Sequence, residues 1–304
     1  CIHSGLNLRE RRHRLDGLRS GRYGLLYIGP EQLRSVTIRS LLEDRPPVFW
    51  VIDEAHCLSQ WGHDFRTDYS YIPTYIAELY GELQLPPPRL GLFTATATPR
   101  VREELAAVFG RRGLVIHDSI TRPARRPNLT CSISPVAGDR TALLVSRLQE
   151  LRRIHPDAAL LVYTLYRRDT VALAEAIRAA AIPGRVMAFH GGMERSRKQE
   201  VLREFREPGP IIVVSTTAFG MGVNRADVRA VLHHSLPSSL ENYLQEVGRA
   251  GRDGLPSECH LWCDDRDAER IFRLQARSRL SATDLRNIFL RTRARRDEIF
   301  GSAS

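Results

Sequence analysis

Asp53 and Glu54 directly follow Phe49-Trp50-Val51-Ile52, an apolar run with the composition of a buried strand. If that strand belongs to a parallel sheet, both carboxylates stand at its carboxyl edge, where ligands of such folds bind. An aspartate in that place can hold Mg²⁺ through its waters, and the neighbouring glutamate can orient and activate a water attacking a terminal phosphate. A polar strand end would explain Asp-Glu alone. The segment that follows, Cys57 to Tyr69, interleaves Trp61, Phe65 and Tyr69 with polar groups where a solvent-facing loop is expected. Stacking on unpaired bases, worth about 1–3 kcal/mol per base, is one use for such aromatics. Packing of Trp61 and Phe65 in the core is the other.

A phosphate-cradling loop of the form G-x-x-x-x-G-K-[ST] should precede the carboxylate strand, because its glycine amides and its lysine meet the phosphates. The chain has one lysine, Lys198, far downstream in Arg197-Lys198-Gln199-Glu200, and the pattern does not occur. The chain on its own is therefore expected to lack part of a nucleotide site and to be unable to turn ATP over.

The elements that would position these groups alternate. Leu25–Ile28, Val48–Ile52, Leu90–Phe93 and Leu114–Ile116 read as strands, as do Ala159–Tyr163, Val186–Phe189, Ile211–Val214 and Val228–Leu232. Strands alternating with helical stretches imply an α/β fold with parallel sheets covered on both faces. One helix start is legible: Thr98 can cap, Pro99 suits the first turn, and Val101, Leu105 and Val108 repeat at helical spacing before Gly110. Thr121 to Asn128, rich in proline and arginine, reads as an interdomain linker. Expected domains are thus 1–121, 122–265, and an arginine-rich helical tail, 266–304, with helix from Asp267 to Arg296.

Among 304 residues the net charge is +10, which favours a polyanionic partner through counterion release. Since all basic residues but Lys198 are arginine, compositional bias explains part of that charge. The five cysteines are scattered and odd in number, so free thiols are expected. Cys259-His260-Leu261-Trp262-Cys263 reads better as a buried strand than as half a zinc site. No apolar run reaches the roughly 18 residues of a membrane span, and the first residues lack a signal-peptide pattern, so a cytoplasmic location is the default expectation.

The run from Val51 to Tyr69 resembles, nearly residue for residue, the DEAH box and aromatic-rich loop of RecQ-type DNA helicases. Tyr27-Ile28-Gly29-Pro30-Glu31-Gln32-Leu33, Thr94-Ala95-Thr96-Ala97-Thr98, His190-Gly191-Gly192-Met193 and Ser215 to Gly222 are similar to further motifs of that family and fall in its order. The most specific match is Gln245 to Gly254, where Arg249 and Arg252 stand three apart, a spacing that puts both on one helical face or turn. The resemblance covers residues 1 to about 265. It departs at Val223-Asn224, where an aspartate is common after Gly-Met-Gly-Ile, and at Thr67, where a proline is usual.

The resemblance implies two RecA-like parallel-sheet lobes, the first incomplete at its N-terminus, with ATP and Mg²⁺ bound between them and the missing strand and phosphate loop upstream of Cys1. It implies 3′ to 5′ translocation on DNA, single-stranded and at duplex junctions, with no membrane. Glu54, Asp53, Arg252, Arg249 and Gln245 would serve hydrolysis, with Arg252 as the arginine finger and Arg249 its partner. Asp53, His56, Gly222, Asn224, Arg249 and Arg252 would contact the nucleotide, Asp53 through Mg²⁺. Trp61, His63, Phe65, Arg66, Thr94, Thr96, His190 and Thr216 would contact DNA. A non-catalytic DNA-binding or assembly module and an RNA helicase share parts of this pattern.

Overall fold

The computed structural model describes residue 2 and residues 6–59, 66–95, 97–121, 125–220, 223–278, 286, 290 and 291. The chain divides into two compact units, Cys1–Arg125 and Arg126–Ser304.

In the first unit, helix α1 (Leu8–Arg19) opens on a reciprocal cap in which Asn7 and Glu10 each accept the other's backbone N–H. It is followed by α2 (Val36–Asp44), β1 (Phe49–Ile52), α3 (Thr67–Glu82), β2 (Arg89–Leu92) and α4 (Pro99–Gly110). Strands β1 and β2 pair in parallel, Phe49 opposite Arg89 through Ile52 opposite Leu92. Ile38 and Leu41 of α2, Ile72, Tyr75, Ile76 and Leu79 of α3, and Val101, Leu105 and Phe109 of α4 share one core with Ile52. Trp50 locks strand to helix, donating its indole N–H to the Tyr80 hydroxyl at 3.2 Å and meeting the Tyr75 ring edge-on at 6.2 Å.

Two strand expectations fail here. Leu25–Ile28 contributes only a single bridge, Ile28 with Ile2, and Leu114–Ile116 joins no ladder. A strand exists only where a neighbour supplies a run of hydrogen bonds; β1 and β2 satisfy one another, and among the described residues neither run has a ladder partner. The start of α4 is as expected, with the Thr98 hydroxyl accepting from Val101 N at 3.3 Å. Its third core residue is Phe109, fully buried, rather than Val108, because the apolar stripe runs at i, i+4 and i+8.

The second unit contains β3 (Leu129–Pro135), α5 (Arg140–Ile154), β4 (Ala159–Tyr163), α6 (Arg167–Ala179), β5 (Arg185–Phe189), α7 (Arg195–Arg206), β6 (Ile211–Ser215), β7 (Val228–His233), α8 (Leu240–Val247), β8 (Ser257–Cys263) and α9 (Asp265–Ser278). Its six strands form one parallel sheet in the order β3-β8-β7-β4-β6-β5. The central strands are apolar almost throughout because both faces are covered. Alternate residues separate accordingly: Ala159, Leu161 and Val213 pack with Phe205 of α7 and Val247 of α8, whereas Leu160, Val162 and Val214 pack with Leu148 of α5 and Ile177 of α6.

Helix α9 is fixed by a buried charge cluster. Arg140 donates to Asp267 at 2.7 and 3.1 Å and to Asp264 at 2.9 Å, which satisfies carboxylates that would be costly to bury alone. The expected extension of this helix to Arg296 lies largely outside the described residues. Among the described residues no helix is long and apolar enough to cross a membrane.

Candidate functional site

In the first unit the carboxylates follow β1 at the carboxyl edge of its sheet. Asp53 is exposed, and one of its carboxylate oxygens accepts the Glu54 N–H at 2.9 Å. Glu54 adopts a left-handed backbone, φ 51 and ψ 42, a conformation that a non-glycine residue takes only where its surroundings compel it. The surroundings are visible: Ala55 N donates to the Phe93 carbonyl at 2.9 Å, and Phe93 N donates to Ile52 at 2.9 Å, so β2 grips the chain on both sides of the turn.

His56 is buried and stands between two functional groups. Its Nδ1 lies 3.0 Å from the Thr94 hydroxyl and 3.4 Å from a Glu54 carboxylate oxygen, while Nε2 faces the Cys57 thiol at 3.7 Å. The imidazole thereby connects the Glu54 carboxylate to Thr94. Trp61, His63 and Phe65 fall outside the described residues, as do Thr96 and Gly222. The two ends of the aromatic segment are nevertheless joined, Arg66 N donating to the Cys57 carbonyl at 3.0 Å. The closure brings Arg66 next to the residue that follows His56.

Metal fit is a matter of donor chemistry. Mg²⁺ prefers oxygen ligands and retains several waters, using one or two carboxylates beside the substrate phosphates. Asp53, exposed and with one oxygen committed only to a backbone amide, suits that mode.

In the second unit, the carboxyl ends of β5 and β6 place His190 beside Thr216, whose N–H donates to Phe189 at 3.3 Å. Lys198 donates to the Gly191 carbonyl at 2.6 Å. Arg167, which the motif reading passes over, lies against the same turn, close enough that a Cβ at Gly192 would stand 2.9 Å from its guanidinium. An arginine opening α6 gives no sequence signal of its own; only the neighbouring strand ends bring it to His190-Gly191-Gly192.

Arg249 and Arg252 follow α8, which also carries Gln245, half-buried, and Glu246, whose carboxylate meets buried His233 at 2.8 Å. The two arginines hold one loop from different points. Arg249 donates to the Gly220 carbonyl at 2.6 Å, and Arg252 donates to the Asn224 side-chain oxygen at 2.8 Å and the Val223 carbonyl at 3.2 Å. Asn224 thus offers an uncharged acceptor where the resemblance leads one to expect a carboxylate. Arg252 is exposed, and its pKa is lowered by burial of part of its side chain and by the guanidiniums of Arg249 and Arg126.

Between the two arginines, Gly251 takes φ 54, and a Cβ there would lie 2.5 Å from Asn128 Nδ2, 2.7 Å from Ser257 Oγ and 2.8 Å from the Leu255 carbonyl oxygen. Gly251→Ala is therefore expected to destabilise the second unit by about 3 kcal/mol, combining left-handed strain with overpacking. Thermal or urea unfolding that matches the parent within about 0.5 kcal/mol would contradict this.

Residues 143–254 match the helicase conserved C-terminal domain family. The ATP-dependent DNA helicase RecQ of Bacillus subtilis (strain 168) is 34% identical over 266 residues, which are 88% of this chain and 42% of that protein. The ATP-dependent DNA helicase Q4 of Homo sapiens is 38% identical over 276 residues, 86% of this chain and 22% of that protein. The chain spans less than half the length of either relative. Among solved structures, Mss116p bound to single-stranded RNA and AMP-PNP superposes with a TM-score of 0.65 at 17% identity, over 90% of this chain and 54% of that one. The Lhr helicase of Mycobacterium smegmatis bound to single-stranded DNA and AMP-PNP gives 0.61 at 20% identity, over 85% and 34%. These two likenesses establish the RecA-like α/β fold. The sequence identities to these two ATP-dependent DNA helicases are sustained over most of this chain's length.

Proposed function

We propose that this chain belongs to the motor of an ATP-dependent DNA helicase that hydrolyses ATP with Mg²⁺ and moves 3′ to 5′ along single-stranded DNA to open duplex junctions. The observation that carries the reading is the His56 bridge, which puts the Glu54 carboxylate and the Thr94 hydroxyl on one imidazole. A hydrolytic carboxylate and a residue of the strand-contacting segment held by one buried ring form a short mechanical link between hydrolysis and DNA. Mg²⁺-bound ATP supplies the γ-phosphoryl group that is passed to water.

Asp53 holds the ion through water, and Glu54 orients the attacking water and withdraws its proton. Arg252 and Arg249 offset the negative charge that spreads over the phosphoryl oxygens as the bond to the leaving group lengthens. On the nucleic-acid side, Arg167, Lys198, His190 and Thr216 suit phosphate contacts, which carry little sequence preference. The aromatic segment from Trp61 to Phe65 suits base stacking.

The test is Trp61→Ala in the full-length polypeptide. Basal ATP hydrolysis should stay within about twofold of the parent, while stimulation by single-stranded DNA falls about tenfold or more, as expected for loss of one stacked base. Equal loss of both activities would mean that Trp61 serves the core. Stimulation by RNA in preference to DNA would overturn the choice of nucleic acid.

A further inference from the structure

Thr121 to Asn128 has the composition of a linker, yet its last residues are built into the turn that presents the two arginines. Arg126 donates through Nη2 to the carbonyls of Ala250 and Gly251 at 3.1 and 2.6 Å, and through Nε to the Asn128 side-chain oxygen at 3.3 Å. Asn128 in turn donates its amide N–H groups to the carbonyls of Gly251 and Leu255 at 2.8 and 3.0 Å, and its own carbonyl accepts from Ser257 N at 2.9 Å. Gly251 N donates to Val228 at 2.9 Å, so the carbonyl of this left-handed residue is fixed by two side chains while its amide is fixed to β7.

We propose that Arg126 and Asn128 are positioning residues for Arg252: by clamping the Gly251 carbonyl they set the direction in which the next residue's guanidinium leaves the turn. A guanidinium that must meet a phosphoryl group gains its value from geometry, and a displacement near 1 Å costs on the order of 100-fold in rate. Loop residues rarely hold such a direction unaided, which gives a physical reason for spending four side-chain hydrogen-bond donations on the carbonyls of Ala250, Gly251 and Leu255 in one turn.

A second observation has the same sense. Among the described residues, Arg126, Arg249 and Arg252 make no ion pair with a carboxylate, although their charges act on one another. Guanidiniums gathered without a counter-charge are arranged for an anion that arrives from outside. Arg126 adds positive potential beside the turn while its Nη2 is committed to the backbone.

The inference rests on the reading of Arg252 as the group that meets the phosphate, and a double-mutant cycle on the full-length polypeptide separates the two. Single-turnover ATP hydrolysis with saturating single-stranded DNA is measured for the parent, Asn128→Ala, Arg252→Ala and the double variant, with ATP affinity measured in parallel. Asn128→Ala should lower the rate about 10- to 100-fold and change ATP affinity less than about threefold. In the Arg252→Ala background the same substitution should change the rate less than about twofold, because the group it aims is gone. Losses that multiply across the cycle would overturn the inference. If Asn128→Ala fails to fold, Arg126→Gln enters the same cycle with the same two outcomes. Absence of ATP turnover in the parent, or an Arg252→Ala variant as active as the parent, would instead bring down the functional reading beneath it.

Discussion

Glu54→Gln in the full-length polypeptide is expected to reduce DNA-stimulated ATP hydrolysis by about 10²–10⁴-fold while ATP affinity stays within about threefold. The substitution keeps the length and volume of the side chain and exchanges a proton-accepting oxygen for an amide. It also leaves the backbone question untouched, since glutamine faces the same left-handed φ of 51 that glutamate already accepts. The Asp53 oxygen that accepts the residue-54 amide is unaffected, so ATP binding is expected to persist. Only the attacking water loses its base. Phosphate release in a stopped-flow assay, set beside equilibrium binding of a fluorescent ATP analogue, measures both halves. A variant that turns over within tenfold of the parent would remove Glu54 from the reaction.

Arg252→Ala should cost about 10³–10⁵-fold in the same assay, the range attached to arginine fingers in related phosphoryl transfers. Arg252 is exposed and spends its donors on Val223, Asn224 and, at 3.5 Å, Gly248, so truncation removes little packing and the melting temperature should barely move. Arg252→Lys preserves the charge but cannot present two parallel donors, and it should recover only a minor part of the rate. Arg249 is different: it is half-buried, its Nη1 anchors Gly220, and its Nε is buried without a partner among the described residues. Loss of Arg249 would therefore disturb the loop as well as the charge. Full activity in Arg252→Ala would transfer the finger to Arg249 or abolish the reading.

The parts of the fold visible in sequence were those whose physics is local. Ala159–Tyr163 and Ile211–Val214 are unbroken apolar runs because both faces are covered, and Thr98-Pro99 marks a helix start by capping alone. Strand β3 is hard to read because Leu129-Thr130-Cys131-Ser132-Ile133-Ser134-Pro135 is an edge strand with four of its seven residues exposed and a terminal proline. Conversely, Leu25–Ile28 has strand composition without a ladder, which no inspection of the run itself reveals. The same division holds at the candidate site. Asp53-Glu54 could be placed at a sheet edge because the strand before it is legible, whereas the left-handed turn of Glu54 and the meeting of His56 with Thr94, 38 residues apart, are products of tertiary contact. Arg126 and Asn128 were disguised by their company, since prolines and arginines look the same in a linker and in a clamp.

The sheet order has a consequence for how the second unit is made. Among the described residues, Leu129–Pro135, its first strand, pairs only with Ser257–Cys263, its last, because β3 lies at the sheet edge beside β8. On the ribosome the opening strand must wait for nearly the whole unit to be synthesised, on the order of ten seconds at typical elongation rates. During that interval β7 and its neighbours can assemble from strands already emerged, but the edge for β3 does not exist until β8 docks. The last strand to arrive completes the sheet on two sides at once, and the Arg126-Asn128 clamp, which needs Gly251 and Leu255, closes in the same event. Arg249 and Arg252 thus acquire their final aim at the end of folding, so a nascent or C-terminally truncated unit should lack the preset arginine turn even where its central strands are native.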